Sequence, residues 1–353
     1  MSHTLVGHDA IFDRFRRALR MGRLASTFLF VGPAGVGKRL VANRIAQCLL
    51  CERTRDEDLD ACGECHSCLM FAAGTHPDFI VVSKPDDRAT IPVELFLGDR
   101  EHRMQEGLCH DISLKPFYGG RKIAIIDDAD YLNAEGANCL LKTLEEPPPR
   151  SLLILIGASE QKQLPTIRSR CQTVRFRPLP DDVLQRLLLE QKIAETPAEA
   201  ASLAALAGGS LQRAAELADS ELREFRRKLL AELPPQAISS VALAREVAKF
   251  VDQAGKEAPP RRVRLRLLLG FAADYYRQIM TCLAGGPLVG DDLLRKAVQS
   301  ILPRWGGTDE TAADCVETCL TYEGHVDANA NLTTLVECWI DELADKTRLV
   351  RAG

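Results

Sequence analysis

A glycine-rich segment near the N-terminus has the spacing of a phosphate-binding loop. Residues 32–40 read GPAGVGKRL and follow the pattern G-x-x-x-x-G-K-[ST] up to its last position. That position normally supplies a hydroxyl to Mg²⁺, because the ion on a nucleotide binds oxygen ligands, and here it is Arg39. The segment therefore fits a working ATPase, a nucleotide holder without turnover, or a loop kept for its shape. The candidate nucleotide-binding residues are Gly32, Pro33, Gly35, Gly37, Lys38 and Arg39.

Two acidic residues end a later apolar run, KIAIIDDAD (122–130). A phosphate-loop ATPase needs a carboxylate beside the loop to hold Mg²⁺ and a residue that orients the attacking water. Asp127 suits the first role, and Asp128 stands where the second acid is expected. Aspartate is one methylene shorter than the glutamate usual there, and a displacement of about 1 Å can cost about 10²-fold in rate. The alternative is that both aspartates simply end a strand.

Four cysteines between these motifs have the spacing of a metal site. The pattern C-x10-C-x2-C-x2-C suits tetrahedral, structural Zn²⁺, which leaves no open position for catalysis. Cys48 is an alternative ligand, but it lies in the helical period that begins at Lys38, which favours a core position. His66 is expected to be a solvated loop residue, and a chance cluster of free thiols is the remaining alternative. The predicted ligands are Cys51, Cys62, Cys65 and Cys68.

Alternating strand and helix patterns must position these groups in the first half of the chain. One helical pattern follows the glycine-rich loop and covers residues 38–51. A second begins at Asn133 and ends before the prolines at 147–149. Near-continuous apolar runs between helices predict a parallel sheet covered on both faces, in an α/β fold. The runs predicted to be buried strands are 26–32, 78–83, 122–130 and 151–159, and a short strand is expected at 173–177.

The second half is predicted to be helical, since strand patterns end near residue 178. Short helices are expected first, broken at Gly208-Gly209, and longer amphipathic ones follow a boundary near 232–235. The segment 256–262 is expected to be a loop. Residues 261–278 mix basic and apolar types at helical spacing, which favours a packed helix over a DNA-facing stripe.

Composition limits the function classes. The chain has 353 residues with 46% hydrophobic and 27% charged side chains, as in a globular protein of two or three domains. No apolar run is long enough to span a membrane, and the first residues lack a signal-peptide pattern. Twelve cysteines then favour a reducing cytoplasm. A formal charge of −4 gives no overall nucleic-acid signature.

Several of these segments together resemble a known family. In order, they are VGHDAIFDRFRRALRMGRLASTFLFVGPAGVGK, the cysteine insert, GTHPDF, GGRKIAIIDDADYLNAEGANCLLKTLEEPP and LPTIRSRC. Over residues 5–180 the chain resembles the clamp-loader subunits of bacterial DNA polymerase III, and most of all the delta-prime subunits. The gamma/tau motor subunits end this loop in Lys-Thr or Lys-Ser and carry Asp-Glu after the strand. This chain has Lys38-Arg39 and Asp127-Asp128, and its LPTIRSRC segment with Arg168 also looks like delta-prime.

The resemblance implies an AAA+ module that works in a ring of subunits. It would comprise a nucleotide-binding domain (1–178), a helical lid (179–233) and a helical collar (234–353). Such a ring also contains gamma/tau and delta subunits. It opens the sliding clamp and places it on primer-template DNA. The arginine of Ser-Arg-Cys, here Arg170, would enter the ATP site of a neighbouring motor subunit. Motor subunits also carry a lid arginine where this chain has Gln212, with Arg213 one place later.

These features together predict a scaffold that hydrolyses ATP weakly or not at all. ATP or ADP can still be held, whereas Mg²⁺ is doubtful because its hydroxyl ligand is missing. Two alternatives stay open, namely a hydrolysing gamma/tau motor and a zinc-bearing AAA+ regulator of protein partners. A further hypothesis is that Arg39 contacts Asp127 or Asp128 in place of the metal. The alternative is that Arg39 points into solvent or packs on the lid.

Overall fold

The computed structural model describes residues 7–85, 88–103, 105–118, 120–234 and 239–348. It groups them into two compact units. The first extends to Lys192 and includes Gly208–Arg213, and the second comprises Ile193–Ala207 and the chain from Ala214 onward. The division into three domains at residues 178 and 233 stays a prediction. Among the described helices, none has the length and apolar character needed to cross a membrane.

A parallel sheet forms the centre of the first unit. Within the described residues it has five strands in the order β2-β3-β4-β1-β5. All four neighbouring pairs run parallel. The carboxyl ends of β1 and β3 therefore lie at one edge, on either side of β4. The strands are β1 (Thr27–Val31), β2 (Phe79–Val82), β3 (Lys122–Ile126), β4 (Ser151–Gly157) and β5 (Gln172–Arg175).

Each face of the sheet packs into its own apolar core, because successive strand residues point to opposite faces. Phe28 and Phe30 enter the core that contains the buried sides of the first two helices. Leu29 and Val31 enter the core shared with the helices between β2 and β5. The helices of this unit are α1 (Asp9–Arg20), α2 (Lys38–Leu50), α3 (His66–Ala72), α4 (Glu94–Leu97), α5 (Leu108–Ser113), α6 (Ala134–Glu145), α7 (Pro165–Arg168) and α8 (Asp181–Glu190).

The remaining described elements are helical, and α10 begins within the residues assigned to the first unit. In the second unit α13 packs along α15, and α16 packs against α12 and α15. These helices are α9 (Pro197–Ala207), α10 (Leu211–Leu217), α11 (Ser220–Glu232), α12 (Ser240–Asp252), α13 (Ala258–Leu283), α14 (Asp292–Ile301), α15 (Asp309–Asp327) and α16 (Leu332–Arg348). A parallel sheet covered on both faces, followed by an all-helical region, confirms the predicted fold class.

A buried ion pair ties α11 to the start of α14. Arg226 donates from Nη1 to Asp291 Oδ2 (2.9 Å) and from Nη2 to Asp291 Oδ1 (2.7 Å). Burial raises the pKa of Asp291, but the bonds from Arg226 more than offset this and leave the pKa below its ordinary value. The pair therefore favours the folded state only while Asp291 is ionised.

Two details differ from the sequence-based expectations. The run at 78–83 was expected to be buried, but β2 is an edge strand and Val81 is 40% exposed. The segment 256–262 was expected to be a loop, but α13 already begins at Ala258. Its prolines lie in the first turn, where an amide hydrogen has no helical acceptor and proline is therefore tolerated. The predicted packing face of that helix is confirmed, since Leu265, Leu268, Leu269, Ala272 and Tyr276 are all buried.

Candidate functional site

The phosphate-binding loop joins the carboxyl end of β1 to the start of α2. Gly37 has a left-handed φ of 97° and caps the helix, so the loop can turn sharply into it. Lys38 is buried, and its Nζ donates to the carbonyls of Gly32 (2.5 Å) and Pro33 (2.7 Å). The first amide hydrogens of α2 lack acceptors within the helix, and they create positive potential at that end. The loop is therefore shaped to receive an anion.

A short segment, residues 208–213, lies directly on this loop. The Leu211 amide donates to the Gly35 carbonyl (3.1 Å). A Cβ at Gly35 would lie 2.2 Å from Ser210 Oγ and 2.7 Å from Gln212 Cβ, and φ there is +71°. Only glycine fits without displacing the segment. Gln212, which stands where motor subunits were expected to carry an arginine, is thus placed beside the loop.

Arg39 contacts the first of the two acids that follow β3. Its Nη1 lies 3.2 Å from Asp127 Oδ2, and 57% of the Arg39 side chain is exposed against 15% for Asp127. The other oxygen, Asp127 Oδ1, accepts the amide of Asp128 (3.0 Å). The contact required by the surrogate hypothesis is therefore present, and it involves Asp127 rather than Asp128.

The remaining charges of the site oppose one another. Burial lowers the pKa of Lys38, whereas Asp130, Asp127 and Asp128 raise it, and the net direction is down. Burial and the neighbouring Asp127 raise the pKa of Asp128, against the opposing effects of Lys84 and Arg39. Asp128 also has a left-handed φ of 55°, so its backbone is strained. The second acid is thus short, has a raised pKa and is held in an unusual backbone conformation.

These residues do not fit a magnesium ion of the kind that a hydrolysing site binds. Mg²⁺ requires near-octahedral oxygen ligands and usually binds through one or two carboxylates, water and the substrate phosphates. The loop offers a guanidinium at Arg39 in place of a hydroxyl. Both oxygens of Asp127 already have partners, since one accepts a hydrogen bond from the Asp128 amide and the other pairs with Arg39. No catalytic step through Mg²⁺ is therefore assigned to this chain.

The four predicted metal ligands lie together. Their sulfur atoms are all within 4.8 Å of one another. Cys51 Sγ lies 3.6 Å from Cys62 Sγ and 3.9 Å from Cys65 Sγ, and Cys62 Sγ lies 4.0 Å from Cys68 Sγ. Zn–S bonds of about 2.3 Å in a tetrahedron separate the sulfurs by about 3.8 Å, so the donor set and its spacing fit a metal ion.

Backbone amides within the insert point at these sulfurs. The amides of Cys62, Cys65 and Cys68 lie 3.5, 3.3 and 3.4 Å from the sulfurs of Cys51, Cys62 and Cys65. Burial raises the pKa of Cys51, but hydrogen bonds from Cys62 and the residues after Cys51 lower it to about 6. Amide hydrogens of this kind favour thiolates, which are the metal-binding form. Cys48 lies in α2 and is only 1% exposed in the core, as its helical position indicated.

Arg170 lies near the amino-terminal end of β1, whereas the loop follows the carboxyl end of the same strand. Its carbonyl accepts the hydroxyl of Thr27 (2.8 Å), the first residue of β1, whereas the loop follows the last. Its Nε donates to Glu145 Oε1 (2.7 Å), Nη2 also pairs with Glu145, and Nη1 donates to the Thr166 carbonyl (2.9 Å). About 13 Å of strand separates Thr27 from the loop. Arg170 is therefore held in place at a distance from this chain's own glycine-rich loop.

Three polar contacts near the site, one buried and two partly buried, were missed by sequence reasoning. Asp130 Oδ2 accepts the amide of Ala158 (2.7 Å), and the Gln163 amide nitrogen donates to Asp130 Oδ1. This carboxylate therefore joins the ends of β3 and β4. His8 Nε2 donates to the Val36 carbonyl (2.6 Å) and so braces the loop from α1. Asp130, the third acid of DDAD, could have been proposed from the motif. The contact of His8 with Val36 could not, because no motif links these two positions.

The chain matches a known family over its sheet domain. Residues 7–180 match the family model described as DNA polymerase III, delta subunit. The DNA polymerase III subunit delta' of Pseudomonas aeruginosa is 37% identical over 207 residues, which are 58% of this chain and 60% of that protein. Over this region the chain is similar to the DNA polymerase III delta-prime subunits. The sequence-based recognition is thereby confirmed.

More distant relatives include the paralogue considered above. The delta' subunit of Bacillus subtilis is 30% identical over 214 residues, 60% of each protein. The tau subunit of Escherichia coli is 31% identical over 222 residues, 62% of this chain and 32% of that protein. A solved gamma subunit-related protein of Thermotoga maritima covers 95% of this chain and 100% of its own, at 15% identity and a TM-score of 0.39, too distant to bear on function. The chain spans about 60% of the length of the delta' relatives.

Proposed function

We propose that this chain is a delta-prime-type subunit of the DNA polymerase III clamp loader. It assembles with gamma/tau and delta subunits, and the complex places the sliding clamp on primer-template DNA. Its own loop holds ATP or ADP without appreciable turnover. Its contribution to ATP hydrolysis is Arg170, presented to the ATP site of a neighbouring motor subunit.

The position of Arg170 is the observation that carries this proposal. Its carbonyl is bonded to the first residue of β1, and the loop lies beyond the last, so the side chain cannot serve the loop of the same chain. The Arg170 side chain is nevertheless 30% exposed, and it pairs with Glu145. A guanidinium offered from outside stabilises charge on a transferred phosphoryl group, which requires a second molecule to supply the nucleotide.

The chain's own site supports the absence of turnover. Arg39 pairs with Asp127, the acid that a motor would use for Mg²⁺. Asp128 replaces the longer glutamate, and Gln212 replaces the lid arginine. Each change removes a group that acts on the transferred phosphate, and none removes the loop backbone that cradles phosphates.

The cysteine insert is proposed to hold structural Zn²⁺. It joins the end of α2 to the start of α3, and Ser67 Oγ donates to the Leu50 carbonyl (2.5 Å) beneath it. Arg121, which directly precedes β3, pairs with Asp56 of the insert (3.0 Å). This ion pair connects the insert to the start of β3. Four cysteine ligands close the coordination sphere, so the metal would stabilise the insert and take no part in hydrolysis.

Reconstitution tests the proposal and separates it from the motor alternative. The purified chain alone should hydrolyse no ATP above background, with or without primed DNA. Mixed with gamma/tau and delta subunits, it should enter one complex on size exclusion, and clamp loading by that complex should depend on it. Clear DNA-stimulated turnover by the chain alone would favour the gamma/tau motor. Failure to enter the complex would favour the unrelated regulator.

A further inference from the structure

We infer that the Arg39 guanidinium replaces the divalent cation in this nucleotide site, so that the loop binds ADP or ATP without Mg²⁺. The inference rests on the proposed role of the loop as a nucleotide holder. It begins from the contact between Arg39 Nη1 and Asp127 Oδ2 at 3.2 Å. Arg39 follows the lysine of the loop. Asp127 follows β3, which lies two places from β1 in the sheet.

The geometry places the guanidinium where a hydrated metal would lie. In a metal-dependent loop, the residue after the lysine binds the ion, and the strand-end carboxylate contacts it through water. Here one oxygen of Asp127 faces Arg39 and the other accepts the Asp128 amide (3.0 Å). The carboxylate thus has its partners within the protein, and a doubly charged ion beside the guanidinium would be repelled.

The same guanidinium can meet the phosphates. Arg39 lies in the first turn of α2, and 57% of its side chain is exposed. Arginine presents five donors in a planar fork, so one side can bond Asp127 while another bonds a phosphate oxygen. Lys38 supplies the second cation from the buried side of the loop. Two fixed cations would then neutralise the phosphates, and neither dissociates as a metal does.

Titration calorimetry with ADP and with ATP tests the inference on the isolated chain, in MgCl₂ and in EDTA. The wild-type dissociation constant should be nearly the same in both buffers. Arg39→Thr restores the hydroxyl of the loop pattern. In EDTA it should bind about 10–100-fold more weakly, the range of one lost charge-assisted hydrogen bond. Mg²⁺ should recover much of that loss. Arg39→Lys is the matched control, since it keeps a cation and should stay insensitive to Mg²⁺.

Three results would overturn the inference. One is wild-type binding that requires Mg²⁺, and another is an Arg39→Thr protein that binds equally well in both buffers. Wild-type protein that binds neither nucleotide in either buffer would also overturn it. None of these results touches the clamp-loader assignment, because assembly with gamma/tau and delta is measured separately.

Discussion

Replacing Arg170 with alanine should separate catalytic from structural roles by magnitude. In the folded chain the guanidinium pairs with Glu145, and the two side chains are 30% and 49% exposed. An exposed ion pair of this kind contributes up to about 1 kcal/mol. The unfolding free energy of the variant should therefore fall by about 1 kcal/mol at most, which lowers Tm by about 2–4 °C in a domain of this size. The variant should fold and assemble.

The effect on the neighbouring ATP site should be far larger. An arginine supplied in trans accelerates phosphoryl transfer by about 10³–10⁵-fold in comparable systems. Single-turnover ATP hydrolysis by the reconstituted loader, with clamp and primed DNA, should therefore lose the turnover of the site that faces this chain. Hydrolysis at the remaining sites supplies the internal reference.

Glu145→Ala is the matched control, because it breaks the same ion pair and leaves the guanidinium in place. It should lower stability as Arg170→Ala does, yet retain most of the hydrolysis. The reasoning is refuted if Arg170→Ala complexes hydrolyse ATP at the wild-type rate. It is also refuted if both variants lose activity equally, because the ion pair itself would then be what matters.

The remaining predictions concern the metal, the loop and the second unit. Protein purified without chelator should contain one Zn²⁺ per chain by elemental analysis, and Cys65→Ser should lose it while the circular dichroism of the sheet is kept; metal-free wild-type protein would end this assignment. Gly35→Ala should lower the unfolding free energy by about 1–3 kcal/mol through clash and positive φ, whereas Gly22→Ala, which has φ +62° and open space, should lose only about 1 kcal/mol. Equal losses in thermal melts would contradict the packing at Gly35. Asp291→Asn should cost about 3 kcal/mol at neutral pH, because it leaves Arg226 buried without its ionic partner. Since the pKa of Asp291 is lowered on folding, wild-type stability should fall as pH drops below about 4, and the deficit of the variant in urea unfolding should shrink there; a pH-independent deficit would refute the linkage.

Hydrophobic periodicity and local spacing predicted most of the strands of the sheet. Continuous apolar runs predicted β1, β3 and β4, because central parallel strands are buried on both faces. The same reasoning overstated β2, since an apolar run does not reveal that a strand lies at an edge and leaves Val81 exposed. The start of α13 was not predicted, because two adjacent prolines are typical of a loop as well as of the first turn of a helix.

The candidate site was predictable where one motif supplies all its groups. The cysteine cluster needs only nearby residues, and the spacing named the same four that lie together. Contacts between distant segments were harder to predict. The carboxylate of Asp78 is buried and accepts the amides of Phe117 (2.7 Å) and Tyr118 (3.1 Å), yet nothing in the sequence links these positions. The hold of Glu145 on Arg170 likewise depends on tertiary packing.

Purification of the tagged chain from its own cells tests the central claim most directly. The DNA polymerase III gamma/tau and delta subunits should be recovered with it in fixed ratio, identified and quantified by mass spectrometry. Arg170→Ala should recover the same subunits, because the proposed role of the arginine is in hydrolysis and not in assembly. Recovery of the tagged chain with no polymerase III subunit, under conditions that preserve the loader, would contradict the assignment.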